Sequence, residues 1–301
     1  MRSIKSYQFI RYLNSGTYGG VWECKNVLNG EMVACKTVPV EMCEDPNFFS
    51  HFKNELIIHS RINHPGITQM KDVIMDSDQI YIIIELCDSG DLNDIVQREA
   101  GLSESQARKY FRQIIGAISY IHAIGVAHRD IKLENILITS GDNAKLSDFG
   151  LCKQQSNGNL LLTTCGTLVY AAPEIVKEEP YDGLKSDIWS AGVVLYSMVT
   201  NHFPWEVEED LPPERLIQET VSQIVMGDIN YPETISFELL NLLQNMLNID
   251  PEERPSATEI LQHPWMQIDS YQDDSTNVEV DPVLIDSVSS IISEIVEKFS
   301  H

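Results

Sequence analysis

The first quarter of the chain has a strand-like pattern of apolar and polar positions. Apolar and polar residues alternate over 7–40, with turn-forming residues between the alternating stretches. Alternation with a period of two is typical of strands that bury one face, so this segment is predicted to form a run of antiparallel strands. Two more strand patterns follow His64 and Pro65, and the second runs through residues 81–86 into a turn containing Gly90.

From Leu92 onward the apolar spacing becomes mainly helical. Ser103 and Gln106 have the spacing of a capping box, which predicts the start of a helix that continues to about Ile124. Its apolar positions indicate an almost wholly buried central helix, and they are Phe111, Ile114, Ile115, Ile118, Tyr120 and Ile121. Such a helix would present the polar residues that follow it on a rigid support.

The last thirty residues change character. Residues 269–281 are acidic and polar, which predicts a linker. Asp281 and Pro282 then have the pattern of an N-cap and a first helical position. Apolar residues follow at helical spacing: Leu284, Val288, Ile291, Ile292, Ile295, Val296 and Phe299. Such a stripe must pack against another surface. The pattern does not decide whether this surface is the back of the helical region, another chain, or the strand–helix junction, where the helix would act as a brake.

Composition limits the class of protein. With 301 residues, 43% of them hydrophobic, the chain is expected to be globular, with one large or two modest domains. It has no signal-peptide pattern and no apolar run near the length of a membrane helix, so a cytoplasmic or nuclear location is expected. The net charge of −24 argues against nucleic acid or an anionic membrane as a partner. This charge serves either to attract basic peptides or simply to keep the protein in solution.

The most informative stretch is residues 128–135, a polar loop after the predicted central helix. Asp130 is a carboxylate that can take a proton from a hydroxyl, and Lys132 can neutralise a transferring phosphoryl group. Asn135 offers an oxygen ligand for a metal ion, and Asp148, which begins a second motif, is its natural partner in holding Mg²⁺. A solvated turn is the plain alternative for such a loop, and the second motif argues against it.

Together these motifs resemble those of the eukaryotic serine/threonine protein kinases over residues 7–266. The resemblance implies an α+β, bilobal fold with a β-rich N-lobe over 7–87 and a helical C-lobe over 88–266, followed by the linker 267–281 and the helical tail 282–301. It also implies ATP and Mg²⁺ as cofactors and protein Ser/Thr hydroxyls as substrates. In this reading Asp130 and Lys132 are catalytic, and Asn135 and Asp148 hold the metal.

The resemblance assigns nucleotide-binding roles in the N-lobe. The glycine loop is expected to cover the phosphates, although Asn14 stands where the family has its first glycine, and we expect Asn14 to adopt positive φ at small cost. Lys36 is expected to hold phosphates and to pair with Glu55. The full set of expected ATP-binding residues is Leu13, Gly16, Gly19, Val21, Lys36, Glu55, Glu85, Cys87 and Asp91, with Ile84 at the back of the adenine pocket.

Residues 148–174 correspond to the activation segment of the family. Thr163 is in the register of a regulatory phosphothreonine, with Thr164 as the second choice, and an upstream kinase would then be a partner. Arg129 would meet the phosphate, or would find a local acid in its absence. Thr167 is expected to bond near Asp130 and Lys132.

Two further expectations concern specificity and rival functions. The residues 170–174 with 203–205 resemble the calcium/calmodulin-dependent kinase group, including the checkpoint and AMP-activated kinase relatives. Glu134, Asp91 and Asp94 are expected to select basic residues upstream of the target hydroxyl.

The rival functions are a pseudokinase scaffold, favoured by Asn14 alone, and a partner or dimerisation module built on the tail helix. The six cysteines are scattered without zinc-site spacing and are expected to be reduced.

Overall fold

The computed structural model describes residues 2–15, 19–155, 160–161, 167–205, 212–268 and 281–299. The chain divides into two compact units. One comprises Met1–Asp88 together with Ser275–His301, and the other comprises Ser89–Asp274. The first is built on a sheet and the second mainly on helices, which confirms the predicted order of a β-rich region followed by a helical one.

A six-stranded antiparallel sheet forms the frame of the first unit. Its strands are β1 (Ser3–Ile4), β2 (Tyr7–Ser15), β3 (Gly20–Asn26), β4 (Met32–Pro39), β5 (Met70–Met75) and β6 (Gln79–Glu85). They lie in the order β1-β2-β3-β4-β6-β5. The glycine-rich segment joins β2 to β3. Strand β4, which contains Lys36, pairs with β3 and is therefore its neighbour in the sheet.

An α-helix lies between β4 and β5 in the chain. A 3₁₀ helix, Val40–Glu44, precedes α1 (Pro46–His59). Asp45 caps α1 by accepting a hydrogen bond from the Asn47 N–H, and proline occupies the first helical position, so the start is well specified. Phe52, Glu55 and Leu56 are buried on one face of α1, and Glu55 is therefore turned into the unit.

The second unit contains eight α-helices within the ranges that the structure describes. They are α2 (Leu92–Glu99), α3 (Glu104–Ala123), α4 (Pro173–Val176), α5 (Gly183–Thr200), α6 (Pro213–Met226), α7 (Phe237–Met246), α8 (Ala257–Leu261) and α9 (Pro264–Gln267). Short strands pair as β7 (Val126–Ala127) with β10 (Lys153–Gln154), and β8 (Ile136–Ile138) with β9 (Ala144–Leu146). Three 3₁₀ helices accompany them: Leu133–Asn135, Leu168–Tyr170 and Pro251–Glu253.

Helix α3 is the predicted central helix. The capping box between Ser103 and Gln106 is formed in both directions, so the predicted start of the helix is confirmed. Phe111, Ile114 and Ile118 are wholly buried, as expected, whereas Tyr120 is partly exposed. The helix leads through β7 directly into the loop at 128–135, and its burial fixes the start of that loop.

A buried ion pair stabilises the second unit. Two guanidinium nitrogens of Arg254 lie 2.6 and 2.7 Å from the two carboxylate oxygens of Glu174, and the Arg254 side chain has no exposed surface. The guanidinium also lies 5.0 Å from the ring centroid of Trp189. Bidentate pairing satisfies both charges, as burial requires. The pair therefore joins the segment around Arg254 to α4.

The tail helix, α10 (Pro282–Phe299), packs into the first unit. The Val283 N–H donates to the Asp281 carboxylate, as expected for an N-cap followed by proline. The buried residues of α10 share one hydrophobic cluster with residues of α1, β5 and β6, and they are Leu284, Val288, Ile291, Ile292 and Ile295. The sequence left the partner of this helix open, and the structure gives the sheet unit.

No helix in the described ranges is long and apolar enough to cross a membrane. Five cysteines lie within these ranges, and four of them are buried. Cys165, the sixth, lies outside the described residues.

Candidate functional site

The glycine-rich segment joins β2 to β3. Leu13 lies in β2 and Val21 in β3, whereas Gly16 lies outside the described residues. Gly19 approaches β4 so closely that a Cβ added to it would lie 2.0 Å from the Thr37 carbonyl oxygen. The adjacent Gly20 exchanges two hydrogen bonds with the Thr37 hydroxyl, at 3.1 and 3.0 Å. The C-terminal end of the segment is thus held against β4, which only glycine at position 19 allows.

Asn14 does not behave as the sequence suggested. It pairs with Val21 across β2 and β3 and is absent from the described non-glycine residues with positive φ. The expectation that Asn14 adopts positive φ is wrong, because strand pairing keeps its backbone extended. An extended asparagine has no left-handed strain, so Asn14 adds no such strain to β2.

Lys36 and Glu55 form an ion pair inside the first unit. Lys36 lies in β4 opposite Val21 of β3, and Glu55 lies on the buried face of α1. The Lys36 Nζ is 3.0 Å from Oε1 of Glu55, and the two side chains are 11% and 5% exposed. At this degree of burial an ammonium requires a carboxylate partner. The position of α1 therefore decides whether the lysine on the sheet is paired.

The end of β6 carries the residues expected to bind adenine. Ile84 pairs with Ala34 of β4 and with Met70 of β5, so it lies in the interior of the sheet. Glu85 is fixed twice to Gln69, since its N–H donates to the Gln69 carbonyl and its side chain accepts from the Gln69 N–H. The first of the two chain segments that form this unit ends shortly after, at Asp88.

The loop at 128–135 brings three of the predicted residues into direct contact. Lys132 Nζ donates to Asp130 Oδ2 at 2.8 Å. The Asn135 amide nitrogen donates to the same oxygen and to the Asp130 carbonyl, both at 2.8 Å. The Asp130 side chain is 11% exposed and the Lys132 side chain 21%. The loop thus presents an oriented carboxylate beside an ammonium, as proton transfer from a hydroxyl with charge neutralisation requires.

Thr167 joins this group. Lys132 Nζ lies 3.4 Å from the Thr167 hydroxyl, so the end of the predicted activation segment contacts the loop at 128–135. Thr163 and Thr164 lie outside the described residues. Arg129, which follows the buried His128, has φ of 69° and donates from Nε to the Tyr181 hydroxyl at 3.1 Å.

A buried carboxylate holds the loop from behind. Asp187 of α5 is 1% exposed and accepts hydrogen bonds from the N–H groups of His128 and Arg129, both at 2.8 Å. Asp187 therefore fixes the backbone at the start of the loop. The ring of His122, at the end of α3, lies 2.9 Å from Asp187 as a third partner. We did not predict His122, and its only signal was a polar residue in the last turn of a buried helix.

The hairpin of β8 and β9 aligns the two predicted metal ligands. Ile136 pairs with Leu146, which places Asn135 and Ser147 just outside the ladder on opposite strands. The N–H and hydroxyl of Ser147 both donate to the Asn135 carbonyl at 2.9 Å. Asp148 follows Ser147 and has φ of 59°, so the chain turns sharply there. Phe149 is fully buried, with its ring 5.0 Å from that of His128.

The donor set of this unit suits a Mg²⁺ ion bound together with phosphate. Both hydrogen bonds of the Asn135 amide use its nitrogen, which leaves the oxygen as the atom for a cation. Among the described residues no group of three or more His, Cys, Asp or Glu side chains could hold a metal by itself. Mg²⁺ commonly takes one or two protein ligands and completes its shell with substrate phosphates and water. Asn135 and Asp148 would be those protein ligands.

Asp91 begins α2 and has two acidic neighbours. It caps the helix by accepting from the Asp94 N–H at 2.9 Å and bridges to Leu137. Burial raises the pKa of Asp91, and the nearby carboxylates of Asp94 and Glu134 raise it further. The tyrosine hydroxyl of Tyr170 lies 3.5 Å from Glu134. Asp91, Asp94 and Glu134 therefore form a local concentration of negative charge in the second unit.

Comparison with known proteins identifies the family. The model of the protein kinase domain matches residues 7–266. A CBL-interacting protein kinase 5 from Oryza sativa subsp. japonica is 35% identical over 87% of this chain and 56% of its own length. A CBL-interacting serine/threonine-protein kinase 8 from Arabidopsis thaliana is 36% identical over 88% of this chain and 58% of its own length.

Another relative is similar along nearly the whole chain. A CBL-interacting serine/threonine-protein kinase 3 from Arabidopsis thaliana is 32% identical over 97% of this chain and 67% of its own length. For the first two relatives the matched region is little more than half of the protein. The match over 7–266 includes every residue of the catalytic loop and of the Lys36–Glu55 pair, and the chain therefore belongs to the protein kinase family, among serine/threonine kinases.

Proposed function

We propose that the chain transfers the γ-phosphoryl group of ATP to Ser and Thr hydroxyls of proteins. The observation that carries this proposal is the arrangement of Asp130, which accepts from both Lys132 and Asn135 through one carboxylate oxygen. The other oxygen of Asp130 orients the incoming hydroxyl and takes its proton, while Lys132 stabilises the negative charge on the transferring group. Bound ATP and Mg²⁺ supply the phosphoryl group and neutralise its charge.

The Lys36–Glu55 pair supports the same function from the first unit. The carboxylate fixes the Lys36 ammonium, which can then bind the α and β phosphates without reorganisation. A side chain at Gly19 would meet the Thr37 carbonyl and push the end of the glycine-rich segment away from β4, the strand that carries Lys36. Most of the catalysis then comes from positioning and electrostatics.

The test is phosphorylation of a generic basic Ser/Thr peptide with radiolabelled ATP. Asp130→Asn removes the proton acceptor but keeps the size of the side chain, and we expect kcat to fall by about 10²–10⁴-fold. Asp182→Asn is the matched control, because Asp182 only caps α5 and asparagine caps equally well. A kcat for Asp130→Asn within threefold of this control would exclude the assignment. An inactive wild type would favour the pseudokinase scaffold.

Activation by phosphorylation of Thr163 is the second part of the proposal, with Thr164 as the alternative position. Arg129, which directly precedes Asp130, supports this part of the proposal. Its main-chain N–H donates to the buried Asp187 carboxylate, and its side chain donates to the Tyr181 hydroxyl. A phosphate on the segment would add charge-assisted hydrogen bonds to this guanidinium and order the segment. Phosphosite mapping with an upstream kinase, followed by activity of Thr163→Ala and Thr164→Ala, identifies the position. Full activation of both variants would refute the proposal.

We also propose a preference for basic residues upstream of the target hydroxyl. The surroundings of Asp91 support it: burial raises the pKa of Asp91 most, and the nearby carboxylates of Asp94 and Glu134 raise this pKa further. An arginine or lysine of the peptide would relieve this repulsion. A peptide array compares wild type with Glu134→Gln, which should lose part of an Arg/Lys preference. An array without any such preference in the wild type would contradict the proposal.

Within the family we propose membership of the calcium/calmodulin-dependent kinase group. The supporting observation is the packing of its sequence signature. Trp205 stacks on Trp189 with ring centroids 5.9 Å apart and donates from Nε1 to the Val169 carbonyl. Phe203 lies edge-on to Tyr170 at 5.4 Å. The residues of the signature thus tie the segment before α4 to α5, and a phylogeny of full kinase domains tests the assignment.

A further inference from the structure

The tail helix α10 is part of the core that supports the ion pair of the first unit. Val288 and Ile295 of α10 are 2% and 1% exposed and share a hydrophobic cluster with Phe52 and Leu56 of α1. The same cluster includes Val73 of β5, so α10 packs against both α1 and the sheet. At its C-terminal end the Lys298 ammonium donates to the Ser77 carbonyl at 3.0 Å. The helix is therefore fixed along its whole length.

The face of α1 that enters this cluster is the face that carries Glu55. Phe52 and Leu56 are one turn apart, and Glu55 lies between them in sequence, one position before Leu56. All three side chains are buried, whereas much of the rest of α1 is exposed or half-buried. Side chains three and four positions apart on a helix share one face. Whatever fixes Phe52 and Leu56 therefore fixes the rotation and the depth of Glu55.

Helix α1 has little of its own to keep it in place. It has fourteen residues, a length at which an isolated helix is marginal in water, and includes asparagine, serine and histidine, which are poor helix formers. Its position must come from packing, and α10 supplies part of the apolar surface that α1 contacts. Without α10, the cluster that contains Phe52 and Leu56 would open to water, and the paired position of Glu55 would lose part of its support.

We propose that α10 is a positioning element for the reaction: by packing on α1 within the cluster that contains Phe52 and Leu56, it holds α1 where Glu55 pairs with Lys36. The inference rests on the proposed kinase function, because its effect is measured through ATP. The predicted effect on activity is opposite to that of a brake, because detaching α10 lowers activity. Val288 and Ile295 are then positioning residues that act through Glu55, and they do not touch the nucleotide.

The test compares one substitution at two positions of the same helix. Val288→Asp places a carboxylate in the cluster, whereas Val283→Asp places it at a position that is 69% exposed. We expect Val288→Asp to lower kcat/KM for ATP at least tenfold, at a temperature where circular dichroism shows the protein folded, and Val283→Asp to stay within twofold of wild type. Unchanged or increased activity of a folded Val288→Asp would overturn the proposal, and an increase would identify a brake.

A double variant separates positioning from general stability. In a Glu55→Gln background the pair is already broken, so a change acting only through Glu55 should add less than a twofold further loss. An equal loss in both backgrounds would mean that α10 only stabilises the fold, and the proposal would fail. If Val288→Asp does not fold, Ile295→Ala provides the same comparison with a smaller change, and we expect at least a threefold loss in the wild-type background only.

The wild type keeps the two proposals distinguishable. A wild type that does not phosphorylate any Ser/Thr peptide refutes the proposed function. An active wild type whose Val288→Asp and Ile295→Ala variants are equally active refutes the role of α10 and leaves the kinase function standing.

Discussion

Replacing Asp187 by asparagine tests how far the catalytic loop depends on one buried carboxylate. Asp187 is 1% exposed and accepts the N–H groups of His128 and Arg129 through two different oxygens. Asparagine has nearly the same shape but only one oxygen, so its NH₂ group must face a donor. At least one buried main-chain N–H then loses its partner.

The size of the effect follows from that lost partner. A buried donor without an acceptor costs about 1–3 kcal/mol. For a unit of this size, 1 kcal/mol lowers the melting temperature by about 2–4 °C, so we expect a decrease of about 2–12 °C. Activity should fall further, because Asp130 directly follows Arg129 and small displacements of a reacting group cost on the order of 10² in rate.

Two measurements on the same preparation are needed. Thermal melting followed by circular dichroism gives the change in stability, and steady-state kinetics well below the melting temperature gives kcat and KM for peptide. Asp182→Asn, at the N-cap of the same helix, is the matched control, because the side chain of Asp182 accepts the Leu184 N–H, and asparagine can accept it equally well. If Asp187→Asn melts within 1 °C of this control and retains kcat within twofold, the carboxylate does not support the loop.

Three further substitutions test other features. Gly19→Ala should lower kcat/KM for ATP by on the order of 10²-fold, since its Cβ would meet the Thr37 carbonyl; wild-type kinetics would exclude the close approach. Arg254→Met should cost about 3–5 kcal/mol in denaturant unfolding by leaving Glu174 buried without its partner, and adding Glu174→Gln should recover part of that loss. A lysine and a tyrosine hydrogen-bonded to Asp142 lower its pKa, so its stabilisation is present above the unfolded pKa of about 3.9 and lost as pH falls. Asp142→Asn should therefore melt up to a few degrees below wild type at pH 7, and this difference should shrink as pH falls below about 3.9 towards the lower pKa of the folded state; equal melting at pH 7 would contradict this.

The sequence carried enough information for the architecture and for the residues of the catalytic loop. The period-two pattern predicted the first sheet, and the capping box located the start of α3. Asp130, Lys132 and Asn135 lie within six positions of one another in the sequence, so their spacing was enough to predict that they are close together. The Lys36–Glu55 pair is distant in sequence and was found only through the family resemblance.

Other features depend on contacts that a pattern does not contain. The backbone of Asn14 is set by its pairing with Val21, and a single-residue preference for positive φ could not foresee that. His122 matters through Asp187, which is 65 positions away in the sequence. An apolar stripe shows that α10 is buried but not on which surface. The start of α1 at Pro46 was available from the Asp45–Pro46 pair, a signal we did not use.

The first unit joins two distant parts of the chain, and this has a consequence for its synthesis. Residues 1–88 leave the ribosome early, but the surface that α10 covers stays open until residues 282–299 have been made. At about 5–20 residues per second this delay is about 10–40 seconds. During that time Phe52, Leu56 and the neighbouring strands expose apolar surface that chaperones would bind. Any truncated product ending before residue 282 would keep that surface permanently and become a target for proteolysis.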